Sequence, residues 1–245
     1  MDLGYLIISA VAVLIALSIH EYCHAYAAYK LGDNTAKNLG RLTLNPLKHL
    51  DPFGAICMLL FRVGWAKPVP INARNFKNPK KGFAITAIAG PTSNLILAFL
   101  SALMYLIMCV FLRDKIFEYG SFALRFWENM LLFMYVFHSV NLGLGIFNLL
   151  PIPPFDGSRI LHAVLPPKVY FGIMKYERKI YYGVIIWLLC GDYVASFLRM
   201  IPIIASTPFL NFAAGVFSLS DMLGFIIQAM SNLMFNFWQL FPALR

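Results

Sequence analysis

Residues 4–30 form a predominantly apolar run of membrane-spanning length, and its C-terminal half carries the segment HEYCH, His20 to His24. About 20 apolar residues cross the roughly 30 Å hydrocarbon layer as a helix, the form in which a single segment satisfies its own backbone polar groups. Ionisable side chains inside such a helix cost roughly 2.5–3.5 kcal/mol each on insertion scales, so His20, Glu21 and His24 need something to hold them. Residues four apart share a helix face, so both imidazoles can point at one metal ion, with Glu21 between them reaching the same place.

Catalytic zinc sites take three protein ligands and leave a position for water, whose pKa falls from 15.7 to roughly 7. A neighbouring carboxylate can take the proton as that water attacks a peptide carbonyl. The pattern therefore predicts one zinc ion held by His20 and His24, Glu21 as base, and a third ligand far along the chain. Asp156 is the best candidate, because it follows an apolar helix and a turn stiffened by Pro151, Pro153 and Pro154, and Gly157 beside it permits close backbone approach. The competing reading is that Asp156 caps a helix beginning at Ser158.

With 60% hydrophobic and 13% charged residues, the 245-residue chain suits lipid, not a soluble core. Further spans are expected over 83–112, 127–150 and 180–198, with weaker apolar pieces at 203–218 and 222–242 and a short helix over 156–165. The fold class predicted is an all-α polytopic membrane protein of about six helical segments in a single domain, 1–245, with a core at 5–165 and C-terminal helices at 178–243. Residues 51–72 are too broken by Gly and Pro to span, and fit a short β-hairpin or a re-entrant segment between the first two spans. The N-terminus has no basic region or small-residue cleavage site, so the first run is expected to stay as a helix.

The net charge of +9 comes from Lys and Arg clustered in loops, which predicts membrane orientation and no nucleic-acid partner. Ten of these residues lie between the first two spans, from Lys30 to Lys81, which puts that connection, and the end of the HEYCH helix, on the cytoplasmic side. Cys23, Cys57, Cys109 and Cys190 show no pairing pattern and read as buried thiols.

Four stretches together resemble the site-2 proteases, a family of intramembrane zinc metalloproteases: HEYCH, GWAKPVPIN (64–72), GPTSN (90–94) and NLLPIPPFDG (148–157). The likeness covers about residues 5–165 and is to compact bacterial members without a PDZ or CBS domain. It implies one Zn2+ on His20, His24 and Asp156, Glu21 as catalytic base, and Asn94 and Asn148 lining the site to donate N–H bonds to an oxyanion or the substrate backbone. It also implies transmembrane proteins as substrates, a multi-pass place in the cell membrane, and cleavage within the bilayer. Ser158 stands where many members have a second glycine, beside an intact ligand. Other readings of the same residues are a zinc-binding membrane transporter or a non-catalytic homologue; Glu21 beside a single metal site favours hydrolysis. His138, Asn141 and Asn148 share a polar stripe, with His138 read as a satisfied core histidine.

Overall fold

The computed structural model describes residues 3–54, 66–118, 120–207 and 219–244. Its helices are α1 (Leu3–Lys30), α2 (Thr35–Asn38), α3 (Pro79–Leu112), α4 (Phe122–Asn148), α5 (Asp156–Val164), α6 (Pro167–Met174), α7 (Glu177–Arg199), α8 (Pro202–Ser206) and α9 (Leu219–Trp238). At 1.5 Å per residue, the 28, 34 and 27 residues of α1, α3 and α4 give lengths of about 42, 51 and 40 Å, enough to cross a bilayer. These three are apolar enough to span, and α7 adds a fourth if its two parts, bent by 50°, are taken as one crossing. Large apolar side chains such as Leu6, Ile7, Val11, Ile88, Ile96 and Leu100 lie exposed along α1 and α3, the surface that lipid accepts and water does not. The protein is a membrane protein.

Helix starts follow local chemistry. Asn78 caps α3 by accepting from the Lys81 N–H, with Pro79 in the first turn, and Ser121 caps α4 by accepting from the Leu124 N–H. Helices α1, α3 and α4 pack on one another, and α5 lies against α3. Small residues at the crossings allow the approach: Ala12, Ala16 and Ala25 on α1 and Ala87, Ala98 and Ala102 on α3 are buried. Helix α9 closes one end, its Met234 joining Ala98, Ala102 and Leu142 in an apolar cluster.

The arms of the expected hairpin fall largely on residues 55–65, outside the described residues. On either side of them, Leu50 and Ala66 form an isolated antiparallel bridge, and the Lys67 N–H donates to the His49 carbonyl at 2.8 Å. Of the two weaker C-terminal pieces, residues 208–218 also lie outside the described residues, while the other is α9.

The stretch after Ala66 is anchored by two buried charges. Arg41 donates to the Lys67 carbonyl at 2.6 Å and the Pro68 carbonyl at 3.4 Å. Asp33 accepts from the Asn72 N–H and the Asn75 amide, both at 2.7 Å, and from the Thr35 N–H at 3.0 Å.

Candidate metal centre

His20 and His24 lie in α1 ten and six residues before its end, which puts them about 15 and 9 Å inside the helix. Each ring is set by an acceptor on α3. His24 Nδ1–H donates to the Thr86 carbonyl at 2.7 Å, and His20 Nδ1–H donates to Asn94 Oδ1 at 2.5 Å. Both Nε2 atoms are thereby left with lone pairs facing inward. Asp156, the first residue of α5, turns its carboxylate toward them: Oδ2 is 3.1 Å from His20 Nε2 and 3.0 Å from His24 Nε2, and the two nitrogens are 3.0 Å apart. Phe155, not Asp156, occupies the cap position of α5, so Asp156 does not serve as its cap.

Three buried ligand atoms thus converge within 4.8 Å of one another, an arrangement that a bound cation stabilises. Two imidazole nitrogens and a carboxylate oxygen suit zinc, whose bonds of about 2.0–2.1 Å place tetrahedral ligands about 3.3 Å apart, close to the spacing here. His20, His24 and Asp156 would hold it.

Gly90 makes room for this triangle. Thr86, Gly90 and Asn94 fall four residues apart on one face of α3, two acceptors either side of a gap. A Cβ at Gly90 would fall on His24 Nε2, 2.6 Å from His24 Cε1 and 2.7 Å from His20 Nε2. A Cβ at Gly157 would overlap the Leu149 and Leu150 carbonyl oxygens, so the proline-rich turn delivers Asp156 only with glycine next to it.

The ligands open onto a cavity of about 460 Å³ whose walls include Glu21, Pro68, Val69, Phe147, Asn148 and Arg159. Glu21 Oε2 accepts from the Val69 N–H at 3.0 Å. Asn148 stands half-buried in the wall at the end of α4, its amide donating to the Leu144 carbonyl at 3.0 Å. Asn94 sits elsewhere: fully buried behind His20, it donates to Asn141 Oδ1 at 2.8 Å and to the Ala16 carbonyl at 3.4 Å, so its hydrogens are engaged within the helix bundle and do not line the cavity. His138 is apart from the centre, bonded to the Ala98 carbonyl and Ser231 Oγ, both at 2.9 Å. The sequence reading missed Gly90, the Thr86 carbonyl and Val69; the one available signal was the spacing of four that links Thr86, Gly90 and Asn94.

Comparison with known proteins agrees with this geometry. The family model described as peptidase family M50 matches residues 115–189, the stretch that delivers Asp156. "Putative zinc metalloprotease YwhC" of Bacillus subtilis is 42% identical over 195 residues, which cover 78% of this chain and 83% of that protein. "Putative zinc metalloprotease Rip2" of Mycolicibacterium smegmatis is 28% identical over 67% of this chain and 60% of its own length, and "Zinc metalloprotease MJ0392" of Methanocaldococcus jannaschii 28% identical over 67% and 36%. No solved structure matches the chain. With a likeness at this level running through most of both chains, and a metal-capable triangle made by two histidines of the long apolar helix α1 and Asp156 of α5, the protein belongs to peptidase family M50, the site-2 proteases.

Proposed function

We propose that the protein is a zinc-dependent intramembrane endopeptidase that hydrolyses peptide bonds in or near transmembrane segments of other membrane proteins. The observation that carries this reading is the inward triangle of His20 Nε2, His24 Nε2 and Asp156 Oδ2 beside a carboxylate, Glu21, that faces the same cavity. Zinc held there supplies Lewis acidity, the property by which such sites acidify water and polarise carbonyl groups. Glu21 does the proton work. The Val69 N–H fixes its Oε2 and leaves Oε1 to take a proton from the attacking water and pass it to the leaving amine. Asn148, in the cavity wall, is placed to bond the substrate backbone or a developing oxyanion.

Substrates reach this cavity as locally unwound segments, since a regular helix keeps its carbonyls engaged. The transport reading is less favoured: among the described residues the His, Cys, Asp and Glu side chains make a single metal-capable cluster, and conduction needs polar sites along a path. The chain acts as one domain of about six helical segments with the 51–72 hairpin. It sits in the cell membrane, with the active site nearer the cytoplasmic side, where Lys30 and the loop cations after it would lie.

The test is zinc content and cleavage of single-span model substrates by wild type and Glu21→Gln in detergent. The expected result is about one zinc in each and a loss of roughly 10²–10⁴-fold in cleavage for Glu21→Gln. A Glu21→Gln protein that cleaves like wild type removes the base assignment, and a folded wild type without zinc removes the site.

A further inference from the structure

We infer that Asn94 and Asn141 are positioning residues: together they form an amide chain that fixes which nitrogen of His20 carries the proton, and so its capacity to hold the metal. The inference rests on the zinc site proposed above and deepens it.

The reasoning begins at a group whose polarity cannot change. The Phe137 carbonyl in α4 can only accept, and the Asn141 side chain meets it at 2.8 Å through Nδ2, which must donate. Asn141 Oδ1 therefore faces the other way and accepts from Asn94 Nδ2 at 2.8 Å. Asn94 Nδ2 also points at the Ala16 carbonyl, 3.4 Å away, a second acceptor-only group that forbids the flipped amide. Asn94 Oδ1 is consequently turned to His20, and a carbonyl oxygen there demands a proton on Nδ1. The remaining nitrogen, Nε2, must then present its lone pair to His24 and Asp156.

Hydrogen-bond direction is thus passed from the backbone of α4 through α3 to a ligand on α1. Asn94 and Asn141 are both fully buried, where any reversed amide would leave donor facing donor. Two asparagines used only to tie helices would also be buried and bonded, but they would not need the order seen here. His24 has a simpler device for the same end, the Thr86 carbonyl, which needs no relay because it cannot flip.

The experiment uses the full chain in detergent micelles, with zinc affinity measured by competition against a chromophoric chelator and the ligand field read from visible absorption after Co2+ substitution. Wild type, Asn94→Leu, Asn94→Asp and Asn141→Leu are compared. Removal of outer hydrogen-bond partners weakens metal binding about 10–100-fold, and that loss is expected for Asn94→Leu with an altered cobalt spectrum. Asn94→Asp keeps an acceptor facing Nδ1 and, with its other oxygen protonated, a donor facing Asn141 Oδ1, so it should bind zinc more tightly than Asn94→Leu, within about threefold of wild type. Asn141→Leu, leaving the long bond to the Ala16 carbonyl as the remaining restraint on the Asn94 Nδ2 side, should fall between them.

If Asn94→Leu does not fold, the contrast between Asn141→Leu and Asn94→Asp decides the matter alone. Zinc affinity and cobalt spectrum unchanged in Asn94→Leu, or in Asn141→Leu where Asn94→Leu does not fold, overturn the inference and leave the site intact. A folded wild type that takes up no zinc overturns the site reading, and the inference falls with it.

Discussion

Replacing Gly90 by alanine adds one methyl group at the most confined point of the metal centre. The new carbon would fall on His24 Nε2 and lie 2.6 Å from His24 Cε1 and 2.7 Å from His20 Nε2. Non-bonded heavy atoms settle at about 3.5–4.0 Å, so both rings must retreat by roughly 1 Å or α3 must move away. Neither ring is free to do so, because His24 is tied to the Thr86 carbonyl one turn before Gly90 and His20 to Asn94 one turn after it. Overpacking of this kind costs about 1–3 kcal/mol, and a 1 Å displacement of a reacting geometry costs about 10²-fold in rate. Gly90→Ala should lose at least about tenfold in zinc affinity by chelator competition, as weakened ligand support does, and about a hundredfold in cleavage of a single-span substrate. Gly143→Ala is the matched control, another helical glycine whose added carbon has Ile227 Cδ1 at 3.9 Å as its nearest neighbour, and it should behave like wild type. A Gly90→Ala protein with wild-type zinc affinity and turnover would refute the claim that this face of α3 gauges the site.

Three further expectations come from other parts of the structure. Gly157→Ala puts a carbon onto the Leu149 and Leu150 carbonyls, which are backbone and cannot swing aside, so zinc content and melting temperature in detergent should both fall; normal zinc content would mean the turn can reshape without moving Asp156. Burial alone would raise the Asp33 pKa, but Thr35, the Asn72 N–H and the Asn75 amide hold the carboxyl below the ordinary range. A lowered folded-state pKa means that this stabilisation is complete above the unfolded value near 3.9 and is lost as pH falls through the folded one. Asp33→Asn should therefore be less stable at neutral pH by about 1–3 kcal/mol and show a flatter decline in melting temperature below about pH 4, and parallel curves for the two proteins would rule this out. His138→Leu should destabilise the bundle, since it removes two buried bonds that link α4 to the Ala98 carbonyl and to Ser231, while zinc content stays at wild-type level; a loss of zinc would tie His138 to the centre.

Long-range apolar patterning made the spans readable, and their ends less so. The first run, 4–30, matches α1 closely, because nothing in it competes with helix. The second was expected to begin at Phe83 but begins at Pro79: Lys80 and Lys81 looked like loop, whereas Asn78 followed by proline is a helix-start signal. The third begins at Phe122, not Trp127, because Arg125 and Glu128 lie on the first turns of a helix that Ser121 caps.

At the site, the helical spacing of His20 and His24 and the rigid turn before Asp156 were visible in one dimension. What lay between them was not. Asn94 looked like a donor to substrate, yet its oxygen meets a ring 74 residues away, and only the crossing of α1 on α3 decides which way an amide points. Glu21 and the Val69 N–H meet across 48 residues for the same reason. No property of Gly90 as a residue type distinguishes it from Gly143; the difference is what stands opposite each.

Asp156 meets His24 across 132 residues and His20 across 136. A metal joining them acts as a cross-link that closes a loop of that size, with α3, α4 and the Arg41-anchored stretch inside it. For a loop of about 100 residues the chain-entropy model gives about 4.7 kcal/mol for a covalent tie, an upper bound where membrane spans already confine the chain. Removing zinc with a chelator should thus do more than stop chemistry: it opens a ring that spans more than half of the chain, and α5 with its proline-rich turn is the piece freed to leave.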